Sequence, residues 1–166
     1  MQHENGGWAW GVDSSRDEVD MTGAAIQALV AAGRGRNPAV GEGLRYLRAA
    51  QNEDGCFQEF PGNPESNVAS TAWAVQAIWA VGENPESWRA ASGAEPLGCM
   101  ESLQEADGHI RWKRGNDLNG IWMTAYVTPA FAGSYWPIKA PARALPETAP
   151  PAGDDGVLAG GGGRGS

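Results

Sequence analysis

Two kinds of apolar segment alternate over residues 2–138. One kind is apolar on every face. In residues 17–32, Met21, Ala24, Ala25, Ala28, Leu29 and Ala32 follow helical spacing, while Ile26, Val30 and Ala31 fill the remaining faces. A helix apolar all round is a buried one, and the pattern predicts an inner helix with Asp17 as N-cap, Asp20 in a capping-box-like position, and a stop at Gly33. The other kind is striped. Asn37-Pro38 starts a helix that reaches Gln51, with Val40, Leu44, Tyr46 and Leu47 on one side and Glu42, Arg45 and Arg48 on the other. Residues 66–81 repeat the inner pattern with Trp73 and Trp79, and Asn84-Pro85 repeats the outer start. The next outer helix is interrupted and is expected over residues 95–103. A last inner helix follows over 117–132, which Pro129 should kink or end early.

Between these segments one phrase recurs. Gln2-His3-Glu4-Asn5-Gly6-Gly7-Trp8, Gln51-Asn52-Glu53-Asp54-Gly55-Cys56-Phe57 and Gln104-Glu105-Ala106-Asp107-Gly108-His109-Ile110 share Gln, Asp or Asn, Gly and a large apolar residue. A second phrase keeps step with it, around Thr22, Thr71 and Thr124. A period of about 50 residues means supersecondary units in series. Asp-Gly and Asn-Gly are turn signals, and a Gln amide offers both donor and acceptor to the orphan groups at a helix end. The expected structural clamp is therefore Gln2, Gly6, Trp8, Gln51, Asp54, Gly55, Phe57, Gln104, Asp107 and Gly108, tying one hairpin to the next.

Gly43, Tyr46, Leu47, Gln51, Gly55 and Phe57 resemble the QW-type repeat of the terpenoid cyclase and protein prenyltransferase superfamily. The third copy keeps Gln104, Asp107 and Gly108 but carries Cys99 and Ile110 at the aromatic positions. Within that superfamily the chain is most similar to bacterial prenyltransferase and squalene-oxidase repeat proteins. The resemblance implies an α/α toroid, whose inner helices line a cavity and whose outer helices wrap them. The fold expected is all-α: an open arc of about two and a half hairpins over residues 1–138, incomplete as a toroid, with further hairpins upstream. The unshared face of the first inner helix (Met21, Ile26, Leu29, Val30) is expected to make the chain self-associate.

Composition narrows the partners. A net charge of −8, with two Lys and scattered Arg, offers no basic stripe, so neither nucleic acid nor an anionic membrane surface is an expected partner. No run of 18 apolar residues is available to span a membrane. Cys56 and Cys99 are expected to be unpaired thiols. Residues 139–166, rich in Pro, Gly and Ala, read as a flexible tail. Within it, Leu145-Pro146-Glu147-Thr148-Ala149 is similar to a sortase signal but lacks the apolar span and basic end, and is read as a chance match.

Candidate chemistry is sparse. The cyclases of this superfamily protonate an alkene with the central carboxylate of Asp-x-Asp-Asp, and the resemblance would put that motif at Asp17-Glu18-Val19-Asp20. Aligned so, its central position is Val19, and Asp17 and Asp20 are read as helix-capping rather than catalytic. The protein prenyltransferases hold zinc with Asp, Cys and His, but Asp54, Cys56, His3 and His109 all lie in clamp turns. No metal and no cofactor are expected. Trp73, Trp122 and Met123 are the residues expected to touch a ligand if the inner helices form an aromatic-lined cavity. The function expected is a non-catalytic toroid module that binds an apolar small molecule or a protein partner. The alternatives are a fragment of an isoprenoid cyclase or prenyltransferase with its catalytic residues upstream, or a scaffold exported to the cell surface.

Overall fold

The computed structural model describes residues 1–138; the expected flexible tail and the sortase-like phrase lie outside them. The chain runs β1 (Trp8–Ala9), β2 (Asp17–Glu18), α1 (Val19–Ala31), α2 (Pro38–Ala49), β3 (Phe57–Gln58), β4 (Ser66–Asn67), α3 (Val68–Ala80), a 3-10 turn (Pro85–Ser87), α4 (Pro96–Glu101) and α5 (Gly120–Phe131). Helices dominate, as expected. Helix α1 packs along α3 and α3 along α5, while α2 lies behind α1 and α4 behind α3. The inner rank is thus α1, α3 and α5. Helix α1 approaches α3 closely at Gly23, where a Cβ would sit 2.6 Å from the Trp73 carbonyl oxygen.

Each clamp turn has the same wiring. The backbone N–H of Trp8 donates to Thr22 Oγ1 at 3.0 Å, that of Phe57 to Thr71 Oγ1 at 2.9 Å, and that of Ile110 to Thr124 Oγ1 at 2.9 Å. Each hydroxyl donates in turn to a carbonyl four residues back: Glu18, Asn67 and Gly120. The glutamine amide closes the turn from the other side. Gln2 Nε2 donates to the carbonyls of Gly6 and Ala39, and Gln51 Nε2 to those of Gly55 and Trp88. Gln104 Nε2 reaches Gly108. Gly6 and Gly55, both at positive φ, bring the turn against the outer segment: a Cβ would meet the Glu42 carbonyl oxygen at 2.3 Å and the Glu95 carbonyl oxygen at 2.6 Å.

Four expectations are corrected. The class is not purely helical, because β1 pairs with β2 and β3 with β4 as short antiparallel ribbons. The ribbons delay the helices, so α1 begins at Val19 and its N-cap is Glu18, which makes no side-chain cap. Pro129 does not end α5 early. It lies in the last turn, where the helix closes two residues later at Phe131. Cys56 and Cys99 are not free thiols but a disulfide, with Cα atoms 5.5 Å apart. Insertion before α4 shortens that helix yet still presents Cys99 to the turn, a juxtaposition that sequence distance does not reveal.

The core follows the rank. Val19, Ile26, Leu47, Phe57, Ile78 and Trp88 are buried around α1–α2–α3, and Val68, Val75, Met100, Ile110 and Val127 around α3–α4–α5. Each large side chain so buried contributes about 1.5–3 kcal/mol. Ile26, expected on an open face, is fully buried, and Met21, Leu29 and Val30 are half-buried. The most exposed apolar side chains of the inner rank are instead Ile121 and Trp122 at the start of α5.

Gln27 on α1 is buried and its Oε1 accepts from the Trp136 N–H at 2.8 Å, so its loss would not isolate the clamp's contribution. Gln104, exposed and with one turn carbonyl as partner, is the better control. Gln51→Ala should cost about 1–2 kcal/mol, since it strands two carbonyls in a partly buried turn, and Gln104→Ala should cost less. Chemical denaturation of the two variants checks the order, and equal losses would remove the glutamine clamp from the account.

Candidate functional site

At the mouth of the inner rank, β2 feeds α1 and β4 feeds α3. The antiparallel ribbons set both helix starts, and they bring Asp20 opposite Ser70. Asn67 caps α3, its Oδ1 accepting the Ser70 N–H at 2.8 Å. A backbone N–H can only donate, so the amide orientation is fixed, and Asn67 Nδ2 donates to Ser70 Oγ at 3.0 Å. The one hydroxyl proton of Ser70 is then directed to Asp20 Oδ1, at 2.5 Å.

Burial raises the Asp20 carboxyl from 3.8 to about 6. The Ser70 hydrogen bond opposes this, and the charges of Glu18 and Glu59 reinforce it. With Oδ1 engaged as an acceptor, the proton of the neutral acid falls on Oδ2. Glu18 and Glu59 are themselves held by Arg16, whose Nη2 lies 3.4 Å and 3.9 Å away.

Asp17 has a different place. It is buried in β2, its carbonyl accepts the Tyr46 hydroxyl at 2.6 Å, and its Oδ1 lies 2.7 Å from His3 Nδ1. Burial and the nearby Asp17 charge push the Tyr46 phenol well above its ordinary range. Neither Asp17 nor Asp20 caps α1. Strand pairing through Glu18 draws Asp17 into the ribbon, and the helix turn carries Asp20 across to α3. The two carboxylates are not brought together. Ser70, Asn67 and Glu59 were missed as members of the site. The signal available was the internal register, which sets Ser70 beside Thr71 as Met21 is beside Thr22.

Trp73, Trp122 and Met123 stand in three different surroundings. Trp73 packs its ring against Tyr126 at 5.8 Å, Met123 is in the core, and Trp122 is 63% exposed. Gln76, fully buried, donates to the Tyr126 carbonyl, and among the described residues its Oε1 has no hydrogen-bond partner. The third turn holds His109 between two carboxylates, Asp107 Oδ1 at 2.5 Å from Nδ1 and Asp117 Oδ1 at 3.0 Å from Nε2. The hydrogen bond to Asp107 raises the imidazole, with Asp117 adding to the effect, and the Asp107 carboxyl is lowered first by the His109 backbone N–H and then by the imidazole. Among the described residues the convergent ligand set is Asp54, Cys56 and Cys99, and its two sulfurs are bonded to each other.

Two comparisons bear on this arrangement. A drimenyl diphosphate synthase of Streptantibioticus cattleyicolor is 30% identical over 132 residues, which is 78% of this chain and 24% of that protein. The chain thus spans about a quarter of the length of that relative. The prenyltransferase alpha-alpha toroid domain matches twice, over residues 1–86 and 41–129. The two overlapping matches cover most of the chain, in step with its paired inner and outer helices, and the chain belongs to the prenyltransferase alpha-alpha toroid domain family.

Proposed function

We propose that this chain is the acid-bearing segment of an isoprenoid cyclase, with Asp20 as the proton donor to an alkene of a linear prenyl diphosphate. The observation that carries the reading is a single carboxyl at the mouth of the inner rank, raised to about 6 and oriented by Ser70. Placing Asp17 in the ribbon changes the register of the acidic phrase. Glu18-Val19-Asp20 then supplies acid-x-acid, and the central carboxylate of an Asp-x-Asp-Asp pattern falls on Asp20 rather than Val19. Met21 stands where that pattern has its last acid. The name of the relative, a drimenyl diphosphate synthase, supports the substrate class.

In the step proposed, the proton leaves Asp20 Oδ2 for one alkene carbon, and the π pair forms the new C–H bond. Positive charge develops on the other carbon, and the carboxylate left behind keeps the Ser70 hydrogen bond. A donor of this kind must be neutral before reaction, and the same burial that makes it so destabilises the fold at higher pH. Between about pH 4 and pH 6 the folded chain binds a proton that the unfolded chain has lost. Stability therefore falls as pH rises through this window, and the loss is complete above it. A second reading, the non-catalytic binding module, is favoured by the exposed pair Ile121 and Trp122 on α5.

Asp20→Asn should remove that pH dependence, making the variant more stable than the parent at pH 8 by roughly 3 kcal/mol and nearly equal to it at pH 4. Denaturation curves at the two pH values test this, and curves that stay parallel would show that Asp20 is not held neutral. With linear prenyl diphosphates, the parent should give a cyclised product, and Asp20→Asn should reduce its formation at least about 100-fold. A trialkylammonium analogue of the carbocation should bind the parent more tightly than the Asn variant. Neither product nor Asp20-dependent binding would leave the binding-module reading in its place.

A further inference from the structure

Superposing the repeats in sequence register, Gln2 on Gln51, sets Cys56 on Gly7; the outer-segment register sets Cys99 on Tyr46. The first hairpin already brings its two residues into contact. A Cβ at Gly7 would lie 2.5 Å from the Asp17 Cβ and 2.7 Å from the Tyr46 ring, so the ring and the Asp17 side chain together occupy the space over the glycine. In the second hairpin the same place between turn and outer helix is filled by the Cys56–Cys99 bond. Both sulfur residues belong to the α3–α4–α5 core, Cys56 fully buried and Cys99 6% exposed. The exposed part of Cys99 borders an open depression of about 330 Å³ lined also by Asp54, Arg89, Glu95, Ser102 and Arg114.

We propose that the Cys56–Cys99 bond is a redox-sensitive staple, which holds α4 and the second clamp turn in the place where the first hairpin uses a glycine–tyrosine contact. The reductant is a dithiol. Its thiolate enters by the depression and attacks Cys99 Sγ. The S–S bond breaks, and Cys56 leaves as a thiolate that takes up a proton. The second thiol of the reductant then attacks the mixed disulfide, releasing Cys99 and leaving the reductant as its own disulfide. With the staple open, no ring comparable to Tyr46 remains to hold the turn. Helix α4 has only six residues and does not persist without its docking. The turn itself anchors the approach to α3, since Asp54 Oδ1 accepts both the Cys56 N–H and the Ser66 hydroxyl.

The test uses the whole chain with dithiothreitol and the double variant Cys56→Gly, Cys99→Tyr, which rebuilds the first hairpin's contact in the second. Air-purified parent should show no free thiols, gain two on native-state treatment with the dithiol, and melt roughly 10 °C lower when reduced. The double variant should melt as one transition whose midpoint the dithiol does not move. Two free thiols in the untreated parent, or thiols that form only after unfolding, would overturn the proposal. So would full native reduction with an unchanged melt.

Discussion

The arrangement depends on one hydrogen-bonded junction, the threonine in the first turn of each inner helix. Its hydroxyl accepts the N–H of the clamp's large apolar residue and donates back to its own helix start. Thr22 and Thr71 are fully buried, where an unmade bond costs about 1–3 kcal/mol. The junction does more than add stability. It fixes where along the inner helix the turn sits and how far the helix is rotated about its axis. Asp20 lies two positions before Thr22 and Ser70 one before Thr71, so their meeting across α1 and α3 is set by the same two hydroxyls.

That coupling explains what could be read in advance. The two phrases share a period because they are the two halves of one junction, and the hairpin series, the inner and outer classes and the helix end before Gly33 were legible for that reason. The ribbons were not. Trp8–Ala9 and Asp17–Glu18 are two residues each, too short for an alternation to register, and they pair across a polar loop without a tight-turn signal. Missing them cost the assignment of Asp17, which looks like a helix cap in sequence and is a buried strand residue in space. The candidate site was less legible still. Asp20 draws its properties from Ser70 and Asn67, about 50 positions away, and from Glu59 in another turn.

Between the repeats the contacts persist while their chemistry changes. At the pair three and seventeen positions into the series, the first turn has His3 beside Asp17 and the second has Asn52 donating to Ser66. At the pair linking turn to outer helix, Gly7 and Tyr46 give way to Cys56 and Cys99. In the third turn the corresponding residue, His109, is gripped by Asp107 and Asp117 instead. A junction fixed by backbone and threonine tolerates such exchange, because the side chains only have to fill or bridge a gap of given width. The aromatic position is thus a requirement for volume and attachment, met by a tyrosine ring in the first hairpin and by a disulfide in the second.

The Asp20 carboxyl sits where these constraints leave little freedom. Burial favours its neutral form, and Glu18 and Glu59 do the same by their charge, while Ser70 favours the ionised form. Arg16 is bound to both glutamates, which offsets part of their field without touching Asp20 itself. Ser70 and Glu18 are both tied into the backbone frame. Ser70 is tied to Asn67, Asn67 to the cap of α3, and Glu18 to the ribbon that starts α1. A carboxyl balanced between such opposed terms responds to small displacements of its neighbours. It is held on two packed helix starts rather than on a loop, and the clamp turns, through Thr22 and Thr71, keep those starts in register.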